Sequence, residues 1–353
     1  MMAYIILYLV VVLLGILFLI IKREIFTKSI FLILILFSGF RYNVGKDFKN
    51  YEQIYNNIKI NNMIEIKKYV EFGYIYLNEI IIYFKGSFQL VLLIMALFSN
   101  IFIYKFIKDR FFILPQKEKY MIYSIYIYFL IGAYYISSFN AVRQFLAISI
   151  FLYSYNFIER RKLKRYIIYL IIGSFFHKSL ILLIPLYWLL SIKKITLKYF
   201  FILIAIDILF VNNLDFIIQY LPFYSGYSEK IYKFSTNYIL LFGLLLLNLS
   251  LIFFHKNIKL NKYEYNMTLI CILLLFTIIL NKNIYPSLNL VLMRLTSYFY
   301  FFSMVTIPRL LWYLKKITRI NIPILFFIVM TILYFKTTFK GLENYLYNFK
   351  LFF

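Results

Sequence analysis

The chain has 353 residues, of which 63% are hydrophobic and 22% aromatic, while charged residues make up only 15%. Soluble domains are about 45–50% apolar and about 25% charged, so a soluble enzyme and a disordered chain are both excluded. The formal charge is +25, from 39 Lys and Arg against 14 Asp and Glu. In a soluble protein that excess would suggest nucleic acid; here the basic residues fall in short clusters between apolar runs, as in positive-inside loops, and nucleic acid drops out as a partner.

The first apolar run, Met2–Ile21, has no basic stretch before it and no small-residue cleavage site ahead of Lys22 and Arg23, so it reads as a retained helix. Further apolar runs follow at 29–40, 72–84, 88–107, 120–139, 141–158, 166–176, 179–190, 199–211, 238–254, 267–280, 290–307 and 322–334. A full span takes about 20 residues, so the shorter runs must be tilted, extended by snorkelling side chains, or re-entrant. The expected fold is all-α: a polytopic integral membrane protein with about twelve transmembrane or re-entrant helices. No linker, repeat or composition break divides it, which predicts a single membrane domain over residues 1–353.

Charge then orients the runs. Placing the segments 22–28, 105–119, 159–165, 191–198, 256–264 and 309–319 on the cytoplasmic side puts 23 of the 39 Lys and Arg there, as the positive-inside rule requires. Residues 166–190 must then enter and leave the membrane as two short helices meeting near His177. Residues 72–84 become a re-entrant or interfacial helix on the outer side. The large outer loops fall at about 41–70 and 212–237, long enough to carry function.

Ionisable groups within or against membrane helices are costly and mark functional sites by default. Under this topology Arg41, Asp47, Glu71, Arg143, His177 and Arg294 all face the outer compartment. Arg143 lies just inside the outer end of a helix, with no acidic residue within a helical turn along the chain. Arginine suits phosphate in a partly dry site, because its planar fork stays charged and holds two oxygens at once. Arg41, Arg143 and Arg294 together point to a lipid-linked diphosphate, and His177, Asp47 or Glu71 to a group that takes a proton from a sugar hydroxyl. Each residue alone also has a plainer reading. A single arginine serves as well as a snorkelling anchor, a lone histidine is more often structural, and Asp47 pairs naturally with Lys46 or Lys49. The basic run at 159–165 is a topology determinant. With two His and the single Cys271 in an apolar run, neither a metal site nor any other cofactor is expected.

These residues carry a resemblance. Arg41-Tyr42-Asn43-Val44-Gly45-Lys46-Asp47-Phe48-Lys49-Asn50-Tyr51 resembles the signature that follows the second helix in the EpsG family, a branch of the Wzy-like polysaccharide polymerases. Glu71-Phe72-Gly73-Tyr74 with Leu77-Asn78 is similar to the next element, with Phe72 where a proline is usual. Arg143-Gln144 through Ala147, and Phe176-His177-Lys178-Ser179-Leu180 with Pro185, resemble its Arg–Gln and Phe-His-x-Ser elements. The four stand in the family's order across roughly residues 1–190.

The resemblance implies a polymerase of the GT-C-related type in the inner or plasma membrane, with its active face extracytoplasmic. It would move a growing capsule, O-antigen or exopolysaccharide chain from undecaprenyl diphosphate onto the next lipid-linked repeat unit, without metal or nucleotide sugar. Its partners would be the lipid-linked oligosaccharide and the bilayer, with a chain-length regulator as a further candidate. The competing readings are a flippase or exporter of the same lipid-linked sugars and a transferase resembling an O-antigen ligase.

Overall fold

In hydrocarbon a chain must satisfy its own backbone N–H and C=O groups, so apolar runs of this kind fold as helices. The computed structural model bears this out over the residues it describes, which are 2–64, 66–112, 114–132, 134–196, 199, 202, 204–205, 238–280, 286–340 and 348–349. The outer loop expected at 212–237, and nearly all of the run 199–211, lie outside them. The architecture is all-α, save for a two-residue pairing of β1 (Arg41–Tyr42) with β2 (Asn348–Phe349). Among the described residues, three helices are long and apolar enough to cross a membrane: Met2–Ile21, Phe88–Phe111 and Lys262–Leu280. The other apolar helices are shorter, and the expected count of about twelve is carried only this far.

The chain packs as two compact units, Met1–Pro185 with Leu314–Phe353, and Leu186–Tyr313. In the first unit, α1 (Met2–Ile21) packs on α2 (Glu24–Gly39), α2 on α6 (Phe88–Phe111), and α6 on α8 (Val142–Glu159). Polar contacts fix their directions. Gln89, at the start of α6, donates through Nε2 to the Gly39 and Arg41 carbonyls past the end of α2. Lys108, near the other end of α6, pairs with Glu24 at the start of α2 at 2.7 Å. Arg110 pairs with Glu159 at 2.6 Å and with Asn156 at 2.5 Å, tying the end of α6 to the end of α8. The basic segments 22–28, 105–119 and 159–165 therefore gather at one end of this unit, as the charge pattern predicts. Arg41, Glu71, Arg143 and His177 lie toward the other.

Between these helices the chain departs from the simple reading of its apolar runs. The first outer loop is largely helical: α3 (Phe48–Lys59) buries Phe48, Tyr51, Ile54, Tyr55 and Ile58 and exposes Lys49, Asn50, Gln53 and Asn56. A spacing of three and four puts the apolar set on one face, so a polar segment still packs. A single turn, α4 (Ile66–Tyr69), leads to α5 (Phe72–Tyr83). At 12 residues, α5 is about 18 Å long, too short to cross about 30 Å of hydrocarbon, in keeping with its expected re-entrant or interfacial place.

The run 120–139 does not form one helix. Helix α7 (Lys117–Leu130) stops, and the chain resumes as a 3-10 turn at Ile136–Phe139. The Tyr134 and Tyr135 carbonyls accept both the backbone N–H groups of Ser137 and Ser138, at 3.1 Å, and their hydroxyls, at 2.6 Å, which reinforces the 3-10 turn. The chain breaks near His177, as expected, but into three elements and not two helices. Helix α9 (Leu163–Ser174) ends before His177, then a 3-10 turn (Lys178–Leu183) and α10 (Leu186–Ser191) follow.

The second unit holds α10, α11 (Tyr238–Phe253), α12 (Lys262–Leu280), α13 (Pro286–Tyr300) and most of α14 (Ser303–Thr318). Asn261 and Glu264 cap the start of α12 reciprocally, at 2.9 and 3.1 Å. The buried Glu264 carboxylate also receives both terminal nitrogens of Arg309, at 2.6 and 3.1 Å. Lys262 donates to the Ser191 carbonyl at 2.8 Å. Within this unit, then, Lys262 and Glu264 at the start of α12 bring Ser191 and Arg309 to the same helix end. The last helix, α15 (Ile322–Lys340), returns to the first unit, where Phe327 packs on Tyr126.

Candidate functional site

The site grows from two docked loops. Gly45 has φ +98°, a left-handed conformation that L side chains rarely adopt, and a Cβ there would sit 2.9 Å from both the Asn140 Oδ1 and the Phe139 carbonyl oxygen. The bare backbone lets the Lys46 N–H donate to Asn140 Oδ1 at 2.7 Å. Arg41, only 2% exposed, donates to the Ser38 carbonyl and, at 3.4 Å, to the Phe139 carbonyl, with its guanidinium 5.0 Å from the Phe139 ring centroid. Residues 41–46 of the signature segment are thereby seated on Phe139 and Asn140, shortly before Arg143.

The second docking joins α5 to the His177 turn. Gly73 N–H donates to the Phe175 carbonyl at 2.8 Å, and a Cβ on Gly73 would lie 2.8 Å from that oxygen and 3.0 Å from its carbonyl carbon. Backbone cannot give way as a flexible side chain does. Gly73→Ala is therefore expected to push α5 off the turn, lower the melting temperature and abolish activity. A variant with wild-type melting temperature and activity would show that the contact does not matter.

These dockings converge three of the sequence-predicted residues. The buried Glu71 carboxylate, just ahead of α5, forms an ion pair with Arg143 Nη1. Its other oxygen lies 3.3 Å from His177 Nδ1 and accepts from the Lys178 N–H at 3.4 Å. Arg143 thus has a counter-ion after all, supplied from 72 residues upstream, where a search within one helical turn could not find it. Nη1 also reaches the Tyr69 carbonyl at 3.5 Å, and the guanidinium sits 5.8 and 5.9 Å from the Tyr51 and Tyr74 ring centroids. Its buried Nε has no hydrogen-bond partner among the described residues.

Burial pushes the Glu71 carboxyl up, but the His177 hydrogen bond and the Arg143 and His177 charges outweigh it and hold Glu71 below the ordinary glutamate value. The carboxylate is thus anionic at neutral pH. In its neutral form, with Nδ1 donating to Glu71, the His177 ring would carry its basic lone pair on Nε2.

Asp47 is half-buried at the start of α3, one turn before Tyr51. Arg294 is half-buried on α13, in the other compact unit. Among the described residues, no group of His, Cys, Asp and Glu could hold a metal ion. Sequence reasoning missed Tyr51, Tyr74 and Gln89. Two of the three were nevertheless in view, since Tyr51 closes the first motif and Tyr74 the second.

Neither the curated proteins nor the solved structures yield a significant match. The EpsG family model matches residues 24–351, continuing far past the motifs at 41–185, and on that near-complete coverage the chain belongs to the EpsG family.

Proposed function

We propose that this chain is a membrane polysaccharide polymerase that transfers a growing glycan from undecaprenyl diphosphate onto the next lipid-linked repeat unit, at the extracytoplasmic face of the inner or plasma membrane. One observation carries the reading: a single buried carboxylate, Glu71, holds an arginine and a histidine side by side, at the end of the unit away from its basic segments. Arg143 receives the diphosphate with its planar fork and stabilises the charge that builds as the leaving group departs. The acceptor sugar hydroxyl attacks the anomeric carbon of the donor, and the bond from that carbon to the diphosphate oxygen breaks, leaving its electron pair on the diphosphate. His177 Nε2 takes the hydroxyl proton, with Glu71 fixing the ring and offsetting the charge it gains. Arg41 already engages two carbonyls, and we assign it the positioning of the signature segment beneath Arg143. Asp47 is assigned to acceptor binding.

Deleting the gene tests the reading. The expected result is loss of long-chain glycan, with single repeat units still attached to lipid and displayed outside. Units trapped only on the inner face would instead make the protein a flippase or exporter. Polymer that forms but fails to leave its lipid would make it a ligase.

A further inference from the structure

Helix α5 presents an aromatic face that is left exposed. Phe72, Tyr76 and Ile80 recur every four residues on one stripe, with Phe72 67% and Tyr76 53% exposed, while Tyr74, Ile75, Asn78 and Ile81 are buried on the other side. The Phe72 and Tyr76 rings stack at 5.8 Å, and Phe175, 47% exposed, meets Phe72 edge-on at 6.4 Å. Because Gly73 clamps the two backbones together, the three rings form one ledge. Its inner end is the site itself: Phe72 follows Glu71, and Phe175 precedes His177 by two residues. The rim is basic, with Lys67, Lys68 and Lys178 all exposed.

An apolar ledge running out from a cationic site matches an anionic amphiphile. A protein partner would have to bury the rings and also neutralise the basic rim, whereas one lipid diphosphate does both with a single molecule. We propose that the Phe72–Tyr76–Phe175 ledge seats the isoprenoid chain of the lipid diphosphate whose head group Arg143 receives; this rests on the reading of the site given above. The ledge guides the chain out of the cation site along α5, which is too short to span and so lies where such a chain enters the bilayer. Rings at a membrane interface suit this task, because their faces are apolar and the Tyr76 hydroxyl stays wet.

The test replaces Tyr76, and separately Phe175, by the photoreactive p-benzoylphenylalanine in the full chain. The protein is placed in phosphatidylcholine nanodiscs containing a small fraction of undecaprenyl diphosphate, and the adducts are identified by mass after irradiation. The same probe replacing Leu9, which is exposed on α1, reports ordinary lipid contact. The expected result is undecaprenyl diphosphate captured at Tyr76 and Phe175 about tenfold above its share of the bilayer lipid, an occupancy bias worth about 1.4 kcal/mol. At Leu9 it should be captured at its share. Arg143→Gln should bring the ledge positions down to that share as well. Adducts at the bilayer share, or no lipid adducts, at both ledge positions would overturn the proposal and leave an ordinary lipid-facing surface. That outcome leaves the polymerase reading standing if gene deletion still removes long-chain glycan. Enrichment at the ledge with long-chain glycan intact in the deletion would keep the chain site and remove the polymerase.

Discussion

Arg143→Lys is expected to reduce polymer output by about thirty- to a thousand-fold at unchanged protein level. Lysine keeps the positive charge and can still pair with Glu71, so the change isolates the geometry of the guanidinium from its charge. Three features of the wild-type site depend on that geometry. The guanidinium sits 5.8 and 5.9 Å from the Tyr51 and Tyr74 ring centroids, Nη1 engages Glu71 and approaches the Tyr69 carbonyl, and the buried Nε remains unsatisfied among the described residues. An ammonium offers no second donor in the same plane, so it cannot hold Glu71 and a phosphate oxygen together in the wild-type arrangement. Losing a charge-assisted contact in a partly dry site costs about 2–4 kcal/mol of transition-state stabilisation, which gives the stated range. If Arg143 only anchored the helix end to lipid head groups, lysine would serve equally well. A full-length glycan ladder from the lysine variant at normal abundance would remove Arg143 from the reaction.

What the sequence could reveal about this molecule followed from the range over which each signal acts. Helices at 2–21 and 88–111 were legible because lipid imposes both their composition and their length. The break near His177 was legible because the charge pattern allowed no other path between the basic segments at 159–165 and 191–198. The break after Leu130 was not, since the apolar run continues through it. The same holds for the site. Arg143 and His177 stood out as ionisable groups beside apolar helices, and Glu71 stood with them. Their convergence on one carboxylate depends on Gly73 meeting the Phe175 backbone, a contact across about 100 residues that no local pattern encodes. Tyr51 and Tyr74 were hidden differently. Among 77 Phe and Tyr, composition could not single them out, and only the approach of Arg143 distinguishes them.

Glu71→Gln carries the second large effect, and it separates the carboxylate's two duties. Glutamine matches the shape but carries no charge, leaving Arg143 buried without its counter-ion. Breaking one side of a buried pair costs about 3–5 kcal/mol, so the detergent-solubilised variant should melt at a distinctly lower temperature at neutral pH. The pH dependence identifies the cause. Glu71 sits below its ordinary value in the folded protein, so its contribution is complete above the unfolded glutamate value of ~4.3 and is lost as pH falls through the lower folded value. Wild-type melting temperature should therefore drop on acidification below about pH 4, and the glutamine variant should lack that part of the drop. The two proteins should converge in stability at the acid end and diverge toward neutrality. Activity should fall further than stability explains, because His177 loses the partner that sets its tautomer and Arg143 loses its orientation together. Double substitution tests this shared dependence: adding His177→Gln to Glu71→Gln should cost much less than His177→Gln does alone. Fully multiplicative losses, or a melting profile whose acid limb is unchanged in the glutamine variant, would show that Glu71 does not hold the two residues as one unit.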